Sequence, residues 1–181
     1  CEVTPHHLTL TDEAVLSIGD ENSAFDALTP KAYNTTAKVN PPLRNVADMS
    51  VMANGINDGT IDFIATDHAP HSSVDKVCTF QEAAFGISVL ETALGSVLSL
   101  YHNKKVGLGT IIKKLTADPA AFLGSNLGTL KAGSPADVTV FDLNEDWKVN
   151  SSLFLSKGKN TPLDGTLLTG RVKATFYGGE Y

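Results

Sequence analysis

The 181-residue sequence has few cysteines, no long apolar run and no cluster of basic residues. Its two cysteines, Cys1 and Cys78, do not make the disulfide framework of a small secreted domain, which favours a reducing cytosol. No apolar stretch reaches the ~18 residues that a membrane-spanning helix needs. The net charge is −6, and an acidic chain without a basic stripe is not typical of nucleic-acid binding. We therefore expect a cytoplasmic protein with neither a membrane nor a nucleic-acid partner.

The start of the sequence also lacks the basic and apolar regions of a signal peptide. It reads CEVTPHH (1–7), which is a short strand candidate closed by a proline, and it does not open on methionine. We therefore expect that the sequence begins in the middle of a longer protein. The content of 42% hydrophobic and 19% charged residues is that of an ordinary globular domain.

The sequence does contain an alternation of strand-like and helix-like segments up to residue 124. Strands are predicted over 1–4 and 61–66, and helices over 45–58, 84–101 and, as a pair, 108–124. Residues 9–31 have little periodicity and are predicted to be a loop or short helical turns, and residues 71–82 are predicted to be a polar loop. After residue 125 the segments 128–143 and 170–181 alternate with period two. The pattern predicts parallel βα units over 1–124 and a β-rich module over 125–181.

The stretch IDFIATDHAPHS (61–72) places polar side chains where a buried strand ends. Parallel βα folds bind ligands at the carboxyl ends of their strands, so Asp67 and His71 lie where chemistry is expected. Asp67 suits a metal ligand, a general base, or both in turn, and a turn or cap residue is the alternative. His71 is expected either to point back at a substrate or to be a solvent-exposed loop residue. His68 faces elsewhere and is expected to be structural.

The remaining histidines and the cysteines are interpreted as structural. For His6 and His7, packing with a hydrogen bond to the backbone is favoured over contact with the site. His102 is expected to sit at a helix C-terminus, where its charge is favourable with the helix dipole. Neither cysteine has another Cys or a His at zinc spacing, so no structural zinc site is predicted.

Six segments, taken in order, carry a resemblance to a known family: CEVTPHHL (1–8), VNPPLR (39–44), GTIDFIATDHAPHS (59–72), AFGISVLET (84–92), GTLKAGSPADVTVFDL (128–143) and LSKGKNTPLDG (155–165). Together they resemble the carboxyl-terminal half of bacterial class I dihydroorotases, which belong to the amidohydrolase superfamily. The specific parts are the asparagine of NPPLR, the second histidine of DHAPH, and AFG. Allantoinases and hydantoinases look similar around the aspartate but usually lack that asparagine and that histidine.

The resemblance implies an α/β fold: a (β/α)8 TIM-like barrel flanked by a small β-sandwich. Residues 1–124 then correspond to the last barrel strands and helices, and residues 125–181 to a segment of the β-sandwich. The implied activity is the zinc-dependent, reversible interconversion of dihydroorotate and N-carbamoyl-L-aspartate in pyrimidine biosynthesis. One or two zinc ions are implied in the complete enzyme.

Carried over residue by residue, the resemblance also implies a site. Asp67 resembles the aspartate that binds zinc and carries the proton. Asn40 resembles the asparagine that hydrogen-bonds the substrate ring, and His71 the histidine that helps to hold the substrate carboxylate. Phe85 and Gly86 resemble the pair whose backbone meets the pyrimidine edge, where a glycine permits close approach.

Other parts of the family's site have no match in this sequence: an HxH pair, a bridging acidic ligand and two later histidines. We therefore expect the amino-terminal half of the same protein to be a partner, and this chain alone to bind zinc weakly and to be inactive. Two alternatives stay open, a non-catalytic dihydroorotase-like subunit and another cyclic amidohydrolase such as an allantoinase or hydantoinase. The oligomeric state stays open as well, a homo-oligomer being one option.

Overall fold

The computed structural model describes residues 1–16 and 33–181, in which short parallel strands and helices precede two long antiparallel strands. The helices are α1 (Pro5–Thr9), α2 (Val46–Asp58), α3 (Ser73–Lys76), α4 (Ala93–His102), α5 (Leu108–Leu115) and α6 (Ala117–Phe122). The strands are β1 (Glu2–Val3), β2 (Phe63–Ile64), β3 (Val138–Lys148) and β4 (Leu167–Phe176). Short 3-10 turns span Asp12–Val15, Thr35–Ala37 and Ser151–Leu153. Of the loop predicted over 9–31, residues 17–31 lie outside the described residues.

The first two strands pair in parallel, as predicted. Glu2 lies opposite Phe63 and Val3 opposite Ile64. The carboxyl ends of β1 and β2 therefore lie at the same edge, so that the residues following each strand come together. A further parallel bridge joins His68 to Ile87 and extends this edge to a third segment.

The main hydrophobic core lies between this strand pair and the surrounding helices. It gathers buried side chains from β1, β2, α1, α2, α4 and α5 and their flanks: Val3, Leu8, Ala53, Ile56, Ile61, Ile64, Val97, Leu100, Val106 and Ile111. A second cluster contains Val39 and Leu43 from the loop that enters α2, and Ile87 from the segment that bridges to His68.

Helix α2 forms where the sequence predicts it. The Asn45 side chain accepts a hydrogen bond from the Asp48 N–H at 3.0 Å and caps the first turn. Gly59, at φ +86°, ends the helix in the left-handed conformation that favours glycine. Ile56 is buried, whereas Val46, the first residue of the helix, is 57% exposed.

The long helix predicted over 84–101 is wrong in its first half, because α4 begins only at Ala93. The Ile87 carbonyl accepts from Ala69 N–H at 2.9 Å, and Gly86 N–H donates to the Lys38 carbonyl at 2.9 Å. Gly86 has φ +134°, which no helix allows. Bonds to distant segments therefore replace the helical bonds, and residues 84–92 form an irregular segment beside the strand ends.

The predicted helix pair over 108–124 is confirmed as α5 and α6, with Gly124 at φ +63° after α6. Asp118 is the second residue of α6. Its carboxylate pairs with Lys113 at 3.1 Å and with Lys114 at 3.3 Å. Within residues 1–16 and 33–181, none of the helices is long and apolar enough to cross a membrane.

Strands β3 and β4 form an antiparallel pair that packs against α4. The contact is close at Gly95, where an added Cβ would lie 3.2 Å from the Gly170 carbonyl oxygen. Trp147 Nε1 donates to the same carbonyl at 3.0 Å. His102, the last residue of α4 as predicted, bonds through Nε2 to the Leu143 carbonyl at 3.1 Å. The period-two pattern after residue 125 therefore does mark strands, while a domain boundary at that point stays a prediction.

Three lysines of the described chain are buried: Lys38, Lys76 and Lys114. Each ammonium group donates to backbone carbonyls, which satisfies the charge away from water. Lys114 Nζ, on α5, reaches the Ile61 carbonyl at 2.7 Å and the Asp62 carbonyl at 2.9 Å. This lysine thereby ties α5 to the residues that lead into β2.

His6 is a buried histidine on α1, next to the strand end. Its side chain is 4% exposed, and neither ring nitrogen has a hydrogen-bond partner among the described residues. The predicted hydrogen bond to the backbone is therefore wrong for His6. Burial, together with the neighbouring His7, lowers the pKa of His6 from 6.5 to about 4.

We expect the His6→Leu variant to lose less stability in acid than the wild type. Between pH 6.5 and about 4 the unfolded chain protonates His6 while the folded chain keeps it neutral. The stability that the folded chain gains from a neutral His6 is therefore complete above pH 6.5 and is lost as the pH falls toward 4. A shift of this size corresponds to about 3 kcal/mol. Urea unfolding of both proteins at pH 7.5 and 4.5 measures it. Equal pH dependences would show that another group is responsible.

Candidate active site

A cavity of about 690 Å³ opens at the carboxyl ends of β1 and β2. Asp67 lines it from the end of β2, and His7 from the end of β1. Asn40 and Arg44 line it from the loop that enters α2. The structure therefore brings Asp67 and Asn40 together, as expected for the predicted site, and adds a histidine and an arginine that were not assigned to it.

Asp67 is the acidic side chain that follows β2 at the cavity. Its side chain is exposed, and its backbone has φ +48°, a left-handed conformation that is rare outside glycine but tolerated by aspartate. This backbone turn lies where the chain leaves the strand. An exposed carboxylate on a cavity wall can accept a proton, and its oxygen can bind a metal ion.

The donor chemistry of Asp67 fits one ligand of a zinc site. Catalytic zinc is held by at least three protein ligands drawn from Cys, His, Asp and Glu. No group of three or more such residues that could hold a metal occurs within residues 1–16 and 33–181. The fit found in the described chain is therefore limited to one carboxylate oxygen.

His7 anchors the loop that carries Asn40. Its Nε2 lies 2.9 Å from the Pro41 carbonyl, and its Nδ1 lies 2.7 Å from Thr4 Oγ1. A carbonyl can only accept, so Nε2 carries the proton and Nδ1 accepts from the threonine hydroxyl. His7 therefore makes the predicted backbone hydrogen bond and also lines the cavity.

Arg44 brings a permanent positive charge to the cavity wall. Its Nε donates to Asp48 Oδ2 at 3.1 Å, one helical turn along the chain. The Arg44 side chain is 66% exposed, and an exposed pair of this kind contributes little to stability. Arg44 belongs to the NPPLR motif, but the sequence alone does not show that its guanidinium shares a cavity with Asp67.

His71, Phe85 and Gly86 do not line this cavity, and they contact one another instead. His71 Nε2 donates to the Phe85 carbonyl at 2.8 Å, which leaves Nδ1 as the ring atom available to a ligand. A Cβ on Gly86 would overlap the Ala69 Cβ and would lie 3.1 Å from His71 Nε2. The backbone of Gly86 therefore does approach a neighbour closely, and that neighbour is Ala69.

Lys38 connects the Asn40 loop to the Phe85 segment. Its Nζ donates to the Ala83 carbonyl at 2.7 Å. The same ammonium lies 4.3 Å from the centre of the Phe85 ring, within cation–π range. Because Lys38 lies two residues before Asn40, it fixes one group of predicted site residues relative to the other.

Lys76, on α3, makes a second connection of the same kind. Its Nζ donates to the Ala84 carbonyl at 2.6 Å and to the Thr35 carbonyl at 3.1 Å. Burial, and then the nearby charge of Lys38, lowers the pKa of Lys76 to about 8. Neither lysine was found from the sequence, where each looks like an ordinary loop residue.

His68 has a structural role, as predicted. Val89 N–H donates to its Nδ1 at 3.0 Å, so Nε2 carries the proton and lies 3.3 Å from Ser156 Oγ. Ser156 in turn donates to Glu91 through its N–H at 2.8 Å and through its hydroxyl at 3.0 Å. Burial opposes ionisation of Glu91, but these bonds outweigh it and hold its pKa below the ordinary value. His68 thus orients the turn after Asp67.

The Asn160 side chain makes hydrogen bonds to four residues in two segments of the predicted site, 69–71 and 86–88. Its side chain is 6% exposed. Its Oδ1 accepts from His71 N–H at 2.8 Å and from Ser88 Oγ at 2.9 Å. Its Nδ2 donates to the Ala69 carbonyl at 3.0 Å and to the Gly86 carbonyl at 3.1 Å. Sequence analysis missed this role, and the only signal for it was the place of Asn160 in LSKGKNTPLDG.

Comparison with known sequences shows similarity to one family and to proteins named dihydroorotase. Residues 9–181 match the amidohydrolase family. The chain is 42% identical to a dihydroorotase of Trichlorobacter lovleyi and 43% identical to one of Desulforapulum autotrophicum, in each case over 99% of its own length. It spans 39% and 38% of the length of those two proteins.

Solved structures give the same picture at the level of the fold. The L-hydantoinase (dihydropyrimidinase) of Arthrobacter aurescens superposes with a TM-score of 0.84 at 30% identity. The dihydropyrimidinase of Brevibacillus agri superposes with a TM-score of 0.82 at 19% identity. Each match covers 99% of this chain and 38% of the other. The family match and these likenesses indicate an α/β fold of the TIM-barrel type, to which the parallel pair β1–β2 conforms.

Proposed function

The chain belongs to the amidohydrolase family, and from this premise we propose that it forms the carboxyl-terminal part of a zinc-dependent dihydroorotase. The proposed enzyme interconverts dihydroorotate and N-carbamoyl-L-aspartate, as a step of pyrimidine biosynthesis in the cytoplasm. The observation that carries the proposal is the meeting of Asp67 and Asn40 on one cavity at the strand ends. The proteins named dihydroorotase that are 42% and 43% identical to the chain support it.

The proposal assigns the chain a portion of the working site. Because the chain spans 39% of the Trichlorobacter lovleyi protein, we infer that an amino-terminal half supplies the remaining metal ligands. Residues 1–124 then form the last part of the barrel, and residues 125–181 contribute to a flanking β-sandwich. The full-length gene product is accordingly the form in which activity is tested.

Asp67 has two roles in the proposed reaction. Zinc, when bound, supplies a Lewis acid that polarises the ring amide and lowers the pKa of water, and Asp67 offers one oxygen ligand to it. The carboxylate also accepts a proton from the attacking water and returns it to the ring nitrogen as the C–N bond breaks. The proton count therefore balances over one cycle of hydrolysis.

The proposed substrate contacts follow from the atoms that remain free. Asn40 presents its side-chain amide to the cavity and can both donate to and accept from a cyclic imide. In its imidazolium form His71 can donate Nδ1–H to the substrate carboxylate while Nε2–H still binds the Phe85 carbonyl. The Gly86 N–H, the Phe85 carbonyl and the Gly86 carbonyl already have hydrogen-bond partners in the protein. We therefore assign the Phe85 N–H to the pyrimidine edge.

The proposal is tested by assaying the zinc-loaded full-length gene product on dihydroorotate, hydantoin and allantoin. We expect kcat/KM for dihydroorotate to exceed the other two by roughly 100-fold or more, because a site built for a polar group rejects analogues that lack it. A chelator should abolish the activity. Preference for hydantoin or allantoin would indicate another cyclic amidohydrolase, and no turnover of any of the three would favour a non-catalytic homologue.

The His71→Ala variant should discriminate between substrates. A charge-assisted hydrogen bond is worth about 1.5–3 kcal/mol, so kcat/KM for dihydroorotate should fall by about 10- to 150-fold. Hydantoin has no carboxylate and should be affected less. Steady-state kinetics on both substrates measures the difference. Equal losses would show that His71 acts through its bond to the Phe85 carbonyl and does not hold the carboxylate.

A further inference from the structure

We propose that Asn160 is a positioning residue of the candidate active site, whose buried side-chain amide holds His71 and the Phe85–Gly86 backbone in the arrangement that substrate binding needs. The identity of the substrate rests on the proposed function. The positioning itself rests on hydrogen bonds of the described chain and is tested separately from it.

The Asn160 amide is fully used by its neighbours. It has two acceptor sites and two N–H donors, and the four groups that meet them come from Ala69, His71, Gly86 and Ser88. Because the side chain is 6% exposed, water cannot readily replace it. Truncation would therefore leave buried donors and acceptors without partners, a state that folded proteins avoid.

The bonds around Asn160 form a closed circuit through the predicted site. Asn160 holds the His71 N–H at 2.8 Å, and the His71 ring holds the Phe85 carbonyl at 2.8 Å. The carbonyl of the next residue, Gly86, returns to Asn160 at 3.1 Å. The histidine and the backbone opposite it are thus fixed by one side chain, and a displacement of about 1 Å in such a site can cost about 100-fold in rate.

Residues near Asn160 also contact the loop that follows Asp67. We call residues 156–160 the clamp segment. A Cβ on Gly158 would lie 2.6 Å from His71 N and 2.7 Å from Pro70 Cα, so the clamp backbone packs directly on the loop. Ser156 Oγ lies 3.3 Å from His68 Nε2. The clamp segment therefore contacts the loop after Asp67 through Ser156, Gly158 and Asn160, and Asn160 supplies most of the hydrogen bonds.

The kinetic test uses Asn160→Ala in the full-length gene product, with Asn150→Ala as the matched control. Asn150 is exposed and accepts from Ser152 N–H at 3.1 Å, away from the loop. We expect Asn160→Ala to raise KM for dihydroorotate by roughly 10- to 100-fold, with a smaller change in kcat. Asn150→Ala should leave both near wild type.

A double-mutant cycle with His71→Ala separates positioning from support of the fold. If Asn160 acts through His71, adding Asn160→Ala to His71→Ala should lower kcat/KM by no more than about twofold further, because the two residues act as one unit. Additive losses would show that Asn160 does not act through His71, which would overturn its assignment as the residue that positions this histidine.

Hydrogen exchange gives a readout that needs no activity. The His71 amide should be protected in the wild type and should exchange at least about tenfold faster in Asn160→Ala, because its acceptor is gone. Asn160→Asp keeps that acceptor but loses both donors, and it serves if the alanine variant does not fold. In it the protection should be lost over residues 84–89 rather than at His71. Unchanged exchange in both variants overturns the proposal, even if the wild type proves inactive on dihydroorotate and only the proposed function fails.

Discussion

Replacing Asp67 with asparagine in the full-length gene product should lower kcat for dihydroorotate by about 10²- to 10⁴-fold, the range that general acid–base catalysis contributes. The substitution keeps the size of the side chain but removes the proton acceptor and replaces a charged oxygen ligand with a neutral one. Because Asp67 is exposed on the cavity wall, the melting temperature should change little. Initial rates at saturating dihydroorotate, with zinc content measured in parallel, test this.

Asp62→Asn provides the control for Asp67→Asn. Asp62 is also exposed, but it precedes β2 and lies at the opposite end of that strand. Its substitution should leave kcat within about twofold of wild type, as surface changes away from special features usually do. If Asp67→Asn keeps more than a tenth of kcat, a barrier change under ~1.4 kcal/mol, then Asp67 is not the proton carrier.

The Gly86→Ala variant should lose about 3 kcal/mol or more of its free energy of unfolding. The residue has φ +134°, and an added Cβ would overlap the Ala69 Cβ. Strain at such a backbone conformation costs about 1–3 kcal/mol, and forced overpacking costs about as much again. Urea unfolding monitored by circular dichroism measures the loss.

Gly59→Ala isolates the backbone part of this effect. Gly59 has φ +86° at the end of α2, and no atom lies within 4 Å of the position of an added Cβ. Only the left-handed conformation should cost stability there, about 1–2 kcal/mol. Equal losses in the two variants would show that the 84–92 segment moves aside freely and that contact with Ala69 does not limit residue 86.

The parts of the fold that the sequence predicted correctly are those set by local chemistry. Helix α2 begins after Asn45 and ends at Gly59, because a capping side chain and a left-handed glycine act within a few residues of the helix ends. The apolar run before Asp67 predicted a strand over 61–66, and β2 occupies Phe63–Ile64 within it. Its parallel direction agrees with the predicted βα units. Local signals also placed Asp67 at a strand end, where the cavity is found.

The irregular segment 84–92 shows why other parts could not be predicted. Ile87 and its apolar neighbours fit a helical stripe, and nothing within the segment opposes that. The deciding hydrogen bonds, from Ala69 to Ile87 and from Gly86 to Lys38, join positions that are far apart in the sequence. Asn160 presents the same difficulty, since the His71 amide that it binds is 89 positions away. Local patterns carry no information on such partners.

The predicted site residues illustrate the difference between position and role. Asp67 and Asn40 line one cavity, as expected of residues that serve one substrate. His71 and Phe85 were predicted as ligand contacts, and the structure shows that they also bind each other. A motif identifies such residues but does not reveal which of their atoms are already occupied by the protein. The roles assigned to them above therefore remain predictions.

The buried lysines give this fold a characteristic pattern of reactivity toward amine-acylating reagents. An acylating reagent attacks an accessible, deprotonated amine, and the pKa of Lys76, lowered to about 8 by burial and the charge of Lys38, would otherwise make it a ready target. In the folded chain its ammonium is instead bound to backbone carbonyls and only 4% of Lys76 is exposed. Lys157 is exposed and should be acylated without any opening of the structure. Acylation of Lys76 therefore requires local opening. Its rate relative to that of Lys157 measures how often the hydrogen bonds from Lys76 to the Ala84 and Thr35 carbonyls break.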